Sequence, residues 1–198
     1  MSEFTSAIGI IAALVILAAY IPYIRSTLQG KNKPNRASWF IWAALGITIA
    51  ASYRLSGGID SGWVPIAGMV GIFIIAMLSV RYGQGGHTIF DVACLIGAGI
   101  GLIAWWLTNE PAAALVISTF VDMIGSLPTI RKGYYEPESE DKLTWIMFLA
   151  GYTLNLFAIT DWNFVIAFYP LEVVILSAAM VWLLVFRKRD NNGKRAKK

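Results

Sequence analysis

The stretch YIPYIRSTLQGKNKPNRASWFIW, residues 20–42, decides the fold of this 198-residue chain. An apolar run enters it, a proline stands near the run's inner edge, and four basic residues follow: Arg25, Lys31, Lys33 and Arg36. Tryptophans then open the next apolar run. A second stretch, SLPTIRKGYYEPESEDKLTWIMF at 126–148, is a worn copy of the first. A shift of 106 places Pro22 on Pro128, Ile24 on Ile130, Arg25 on Arg131, Ser38 on Thr144 and Trp39 on Trp145. A shift of 105 places Pro65 on Pro170. The same residues at the same points of three successive segments indicate an internal duplication.

Composition says what the copies are made of. The chain is 57% hydrophobic and 14% charged, where a soluble domain carries about 25% charged residues. So little charge leaves no hydrophilic coat for a soluble core, and the sequence predicts an integral membrane protein. A membrane helix needs about 20 mostly apolar residues, and segments 4–24, 37–55, 63–82, 88–108, 111–130, 143–160 and 163–186 meet that description. Every connection is short, so each helix reverses direction and no soluble domain fits between them. The first run lacks a basic leader and a polar cleavage region, which predicts a retained span. The single cysteine, Cys94, excludes an intrachain disulfide and a multi-cysteine metal site.

Lysine and arginine set the orientation. They cluster between spans one and two (Arg25, Lys31, Lys33, Arg36), three and four (Arg81), five and six (Arg131, Lys132, Lys142), and after span seven. Together these make 15 of the 16 basic residues, with only Arg54 opposite. The reading is an outside N-terminus and a cytoplasmic C-terminus. The net charge of +4 carries no indication of nucleic acid, because the basic residues sit in loops and tail. The duplication period covers four spans, an even number, so both copies point the same way. The expectation is an all-α membrane protein with seven transmembrane helices. It divides into a first three-helix repeat (1–83), a linker helix (84–109), a second, parallel repeat (110–187) and a basic, disordered tail (188–198). Parallel repeats about an axis along the membrane normal are a transporter architecture.

This 3+1+3 arrangement, with a repeated proline at the inner end of each first helix followed by a basic loop, resembles the PQ-loop/SWEET superfamily. That group includes sugar-transporting SWEETs and SemiSWEETs, lysosomal amino-acid exporters such as cystinosin, and vitamin transporters of the PnuC type. The likeness covers nearly the whole chain. The Pro-Gln dipeptide is Pro22-Tyr23 and Pro128-Thr129 here, and the asparagines of the SWEET third helices are missing. The resemblance implies that Pro22 and Pro128 hinge the inner gate, and the same logic assigns Pro65 and Pro170 to an outer gate. Physically, proline removes a donor and clashes with the preceding turn, and in lipid the freed carbonyl must find another partner. The alternative is a proline that merely ends its helix. Trp39 and Trp145 are either gate or pocket residues or, with Trp63, Trp105, Trp106 and Trp162, part of the aromatic belts found at both interfaces.

Ionisable groups at mid-membrane carry the most information, because a carboxylate there costs about 2.5–3.5 kcal/mol on insertion scales and normally faces a cavity or partner. Asp122 lies about 11 residues into span five, near mid-membrane at 1.5 Å per residue. It shares a helical face with Ser118 and Ser126, with Thr119 beside them. Glu172 follows Pro170 in span seven with Tyr169 three residues before it, and Asn155 lies in span six with Tyr152 three residues before it. The matching positions of the first repeat are Ile16, Ala67 and Ile49. Asp122, Glu172, Asn155, Ser118, Tyr152 and Tyr169 are therefore the candidate substrate- or proton-binding set, one polar wall facing an apolar one. The competing reading is a structural hydrogen-bond cluster. With no basic residue at this depth, at least one carboxyl is expected to hold a proton at neutral pH, which makes proton coupling an expectation.

The remaining features read more simply. Asp91 is expected at the interface, reaching headgroups or Arg81, and His87 stands alone in a glycine-rich turn. GAGIG (97–101) has a spacing that lets helices approach closely. EPESED (136–141) reads as a solvated loop able to pair with the basic one, and the tail as favouring anionic lipid. The functional expectation is a carrier, in a bacterial inner membrane, of a small polar solute: sugar, amino acid, vitamin or cation. A receptor of the KDEL-receptor kind, or a subunit accompanying a lipid-modifying enzyme, is the alternative. No nucleophile motif, phosphate loop or His/carboxylate cluster points to an enzyme, a cofactor or a metal. The expected partners are the solute or ion and membrane lipids, with a second copy of the chain left open.

Overall fold

The computed structural model describes residues 2–108 and 110–186; the basic tail over 188–198 and the ring of Trp105 lie outside the described residues. The described chain is all-helical. Seven α-helices follow in order: α1 (Ser2–Leu28), α2 (Arg36–Leu55), α3 (Trp63–Tyr82), α4 (Ile89–Trp106), α5 (Pro111–Tyr135), α6 (Lys142–Leu156) and α7 (Phe164–Val181). A 3₁₀ turn, Pro137–Ser139, precedes α6, and a π-helical turn, Trp182–Phe186, prolongs α7.

Helix starts are set by short polar side chains that take up an otherwise orphaned amide. Asn35 accepts from the Ser38 amide at 3.2 Å, Asp141 from Thr144 at 2.9 Å and Asn163 from Ile166 at 3.0 Å. Gly30 and Gly57, just beyond α1 and α2, have φ of 70° and 104°, a left-handed turn that costs glycine nothing. Asp91 departs from the expected headgroup contact. It is buried, accepting from the amides of Gly86 (2.8 Å) and Thr88 (3.4 Å) while its own amide donates to Thr88 Oγ1 (3.1 Å). That reciprocal cap fixes the start of α4, so neither Arg81 nor lipid is needed to hold the carboxylate.

Four segments are long and apolar enough to cross a membrane: Glu3–Leu28, Trp63–Tyr82, Pro111–Tyr135 and Phe164–Phe186. This fits an integral membrane protein. The other three are shorter or more polar than the sequence led one to expect. α2 matches α3 in length but carries Ser38, Thr48 and Ser52 on its buried side and arginines at both ends. Ile89–Ala104 is a shorter apolar helix, and the 15 residues of α6 stop at Leu156, a rise of about 22 Å. At its end the amides of Phe157, Ala158 and Ile159 donate to carbonyls three residues back, which tightens the last turn, before Asn163 caps α7.

Packing is close and pairwise. α1 lies on α3 and α6, α2 on α3 and α5, and α7 on α5 and α6, while α4 covers α5 and touches α2. Helix directions alternate along the chain. Thr5 near the start of α1 donates to Asp60 beyond the end of α2 (2.7 Å), whereas Arg36 at the start of α2 donates to the Ser79 carbonyl near the end of α3 (3.0 Å). Glycines permit the nearest approaches. In α4, Gly97 and Gly101 both face α5, and a Cβ on Gly101 would lie 2.1 Å from Val121. On Gly71 in α3 a Cβ would lie 2.2 Å from the buried Tyr20 ring, whose hydroxyl is already tied to the Gly68 carbonyl at 3.2 Å. Replacing Gly71 with alanine should therefore lower the thermal midpoint in detergent by an amount corresponding to about 1–3 kcal/mol of overpacking. An unchanged midpoint would mean that α1 and α3 are not in this register.

Candidate functional site

Six of the seven helices, all but α4, contribute to one buried cavity of about 40 Å³, room for only a few water molecules. Its wall is chiefly aromatic. Tyr20 comes from α1, Trp39 and Trp42 from α2, Trp145, Phe148 and Tyr152 from α6, and Tyr169 from α7. The rings brace one another edge to face: Trp39–Trp42 at 5.1 Å between centroids, Tyr20–Phe148 at 5.0 Å and Trp145–Phe148 at 5.7 Å. Asp122 supplies the one charged group of that wall among the described residues. Glu172 stands beside Asp122, and Tyr20, Tyr152 and Tyr169 are all near enough to interact with the Asp122 carboxyl.

Of the residues singled out in the sequence, Asp122, Glu172, Tyr152 and Tyr169 are thus gathered at one place. Ser118 and Asn155 are buried, but neither is on the cavity wall. Both keep unpartnered polar atoms among the described residues: Ser118 Oγ, and Oδ1 and Nδ2 of Asn155. Trp39 and Trp145 are 1% and 2% exposed and line the cavity, so they are not rings lying in an interfacial belt. Trp63, Trp106 and Trp162 are exposed.

The prolines divide into two kinds. α1 runs on to Leu28 past Pro22, α5 to Tyr135 past Pro128, and Pro170 lies well inside α7, so none of the three ends its helix. Just after Pro128 the Thr129 amide donates to Ser38 Oγ on α2, 3.1 Å away. A side chain of a neighbouring helix thus serves backbone at a proline site. Pro65 differs. It is the third residue of α3, where a missing amide is among the orphans anyway, so proline there disturbs no ladder.

Sequence reasoning missed Tyr20, Trp42, Phe148, Ile72 and Ser177 on the cavity wall. A signal for four of them was present: Phe148 lies 106 residues beyond Trp42, and Ser177 lies 105 beyond Ile72. It also missed the closure at the basic end. The 136–141 loop is not solvated throughout, since Glu140 is 5% exposed. Its carboxylate pairs with Lys132, accepts from Trp145 Nε1 at 2.9 Å and from the Tyr23 hydroxyl at 3.3 Å. Lys132 Nζ also donates to the carbonyls of Lys33 and Ser139, and the Lys33 amide donates back to the Ser139 carbonyl at 3.0 Å. The α1–α2 and α5–α6 loops are therefore stitched together over a buried ion pair. Its neighbours in sequence, Arg131 and Gly133, gave no hint that Lys132 would turn inward.

Among the described residues, no three His, Cys, Asp or Glu side chains come together as a metal ion would need. The chain matches no family model, no curated protein and no solved structure. Function must therefore be argued from the cavity and its closure.

Proposed function

We propose that the protein is a carrier of PQ-loop/SWEET-like architecture, moving a small polar solute across a bacterial inner membrane by rocking two three-helix halves against each other. In this reading all seven helices span, α1–α3 and α5–α7 are parallel repeats, and α4 joins them. The N-terminus lies outside and the basic loops face the cytoplasm, as the lysine and arginine distribution argues.

The cavity between the halves is the observation that carries the proposal. Half of its lining residues fall in pairs at the repeat offset: Trp39 with Trp145, Trp42 with Phe148, Ile72 with Ser177. The helix contacts support the same symmetry, since α1–α3 and α2–α3 contacts correspond to α5–α7 and α6–α7, and the α1–α6 contact to α5–α2. So do the caps. Asn35 and Asp141, 106 residues apart, each hold the amide three residues on, at Ser38 and Thr144. Carriers place their solute site at such an interface of repeats. Asp122 and Glu172, against Ile16 and Ala67, give the site one acidic side.

Uptake into proteoliposomes, with sugars, amino acids, cations and vitamins offered in turn and with or without a pH gradient, tests the proposal. Saturable uptake of one class supports it. No uptake, alongside saturable binding of a peptide or lipid, would transfer the protein to the receptor or accessory-subunit reading. That alternative relies on Arg25, Lys31, Lys33, Arg36 and the C-terminal tail, which lies outside the described residues, to bind a partner or headgroups. Arg36 is already committed to carbonyls of the α3 end, Ser79 at 3.0 Å and Gly85 at 3.4 Å, which favours the carrier.

A further inference from the structure

The chemistry of the cavity narrows the solute, on the premise that this cavity is the carrier's site. Seven aromatic rings and one carboxyl face it, with a second carboxyl beside the first, and no lysine, arginine or histidine among the described residues lines it. An anion would meet only like charge and the negative faces of rings. A neutral sugar would leave the charge on the carboxyl pair without a counterion in a water-poor site, which is costly. A positive group without strongly bound water gains from both features at once, because ring faces attract cations and do so more strongly when desolvated. Two indoles add one further requirement. The rings of Trp39 and Trp42 line the cavity, yet neither indole N–H meets an acceptor among the described residues. Buried donors are normally satisfied, so a ligand that completes this site brings an acceptor of its own.

We propose that the solute is a compact organic ammonium, a protonated amine or quaternary ammonium, bearing a hydroxyl or similar acceptor. The ammonium sits within the rings against Asp122 and Glu172, and the acceptor takes the indole N–H of Trp39 or Trp42. The limited volume favours the smaller members of the class, ethanolamine before choline.

Ethanolamine and choline are suitable probes, with 3,3-dimethyl-1-butanol as the uncharged counterpart of choline and tetramethylammonium as the cation lacking a hydroxyl. Titration calorimetry on the full chain in detergent should show choline or ethanolamine binding about tenfold or more tightly than the butanol. Tetramethylammonium should fall between them. Asp122→Asn should remove most of that preference. Trp42→Phe should retain more cation binding than Trp42→Leu, and the two thermal midpoints report whether either variant has unfolded. Equal affinity for the butanol or for glucose, or no binding of either amine, overturns the ammonium assignment and leaves the carrier reading untouched. Amine binding without any amine flux in proteoliposomes does the reverse: the ammonium site stands and the carrier reading fails.

Discussion

Lys132→Met should be among the most destabilising single substitutions in the protein, costing about 3–5 kcal/mol because it strands the carboxylate of a buried pair. The side chains concerned are 4% and 0% exposed, so solvent cannot take over from the lost ammonium. Two donors would remain on Glu140, Trp145 Nε1 and the Tyr23 hydroxyl, and they keep the figure from rising further. Removing the charge as well should restore much of the loss. A buried pair replaced on both sides is often close to neutral, so Lys132→Met combined with Glu140→Gln is expected to be more stable than Lys132→Met alone. The thermal midpoints of the two single variants and the double variant form a cycle that isolates the pair. Strictly additive shifts would show that the ion pair is not formed in the membrane.

In the proposed carrier the same substitutions bear on transport. Lys132 lies in α5 and Ser139 in the turn after it, Lys33 lies between α1 and α2, and all three are joined at the basic end. A carrier opening there has to part these contacts. Tyr23 and Trp39, tilted against each other with ring centroids 5.0 Å apart, and Trp145 lie in the same layer, so Trp39 and Trp145 are both coupled to the ion pair through Glu140. Trp145 reaches it directly, Trp39 by way of Tyr23.

Much of this was legible in the sequence, and what was not has a physical reason. α3 begins and ends where the apolar run 63–82 does, because Gly62 and Gly83 bracket it. α1 and α5 run several residues beyond their predicted ends at 24 and 130. Hydropathy falls where Arg25 and Arg131 appear, whereas a helix persists as long as its amides stay paired. Asp122, Glu172, Tyr152 and Tyr169 were visible as polar groups inside apolar runs, where few are expected. Tyr20 and Trp42 were hidden because aromatic residues in an apolar run look the same whether they face lipid or a cavity. Glu140 and Lys132 were hidden for the opposite reason: in a charged loop, sequence does not say which charges turn inward.

Asp122→Asn and Glu172→Gln should each reduce solute uptake about tenfold or more, the loss expected when a buried site forfeits a charge that faces its ligand, while leaving the protein folded. The stability measurement separates function from structure. Holding a carboxylate at mid-membrane costs about 2.5–3.5 kcal/mol on insertion scales, and groups kept for function often lower stability. Asp122 opens onto the cavity, and Glu172 Oε2 finds no partner among the described residues. Amides of the same shape should therefore leave the thermal midpoint unchanged or raise it as uptake falls. If the pair were a structural clamp between α5 and α7, the midpoint would drop and uptake through the surviving folded protein would persist. A pH gradient gives the last discrimination. If protons travel with the solute on this pair, the wild-type protein responds to an imposed gradient and the neutral variants, in whatever uptake they retain, do not. Unchanged gradient dependence in both variants would place proton movement elsewhere or remove it altogether. The two carboxyls would then remain as counter-charges for the solute alone.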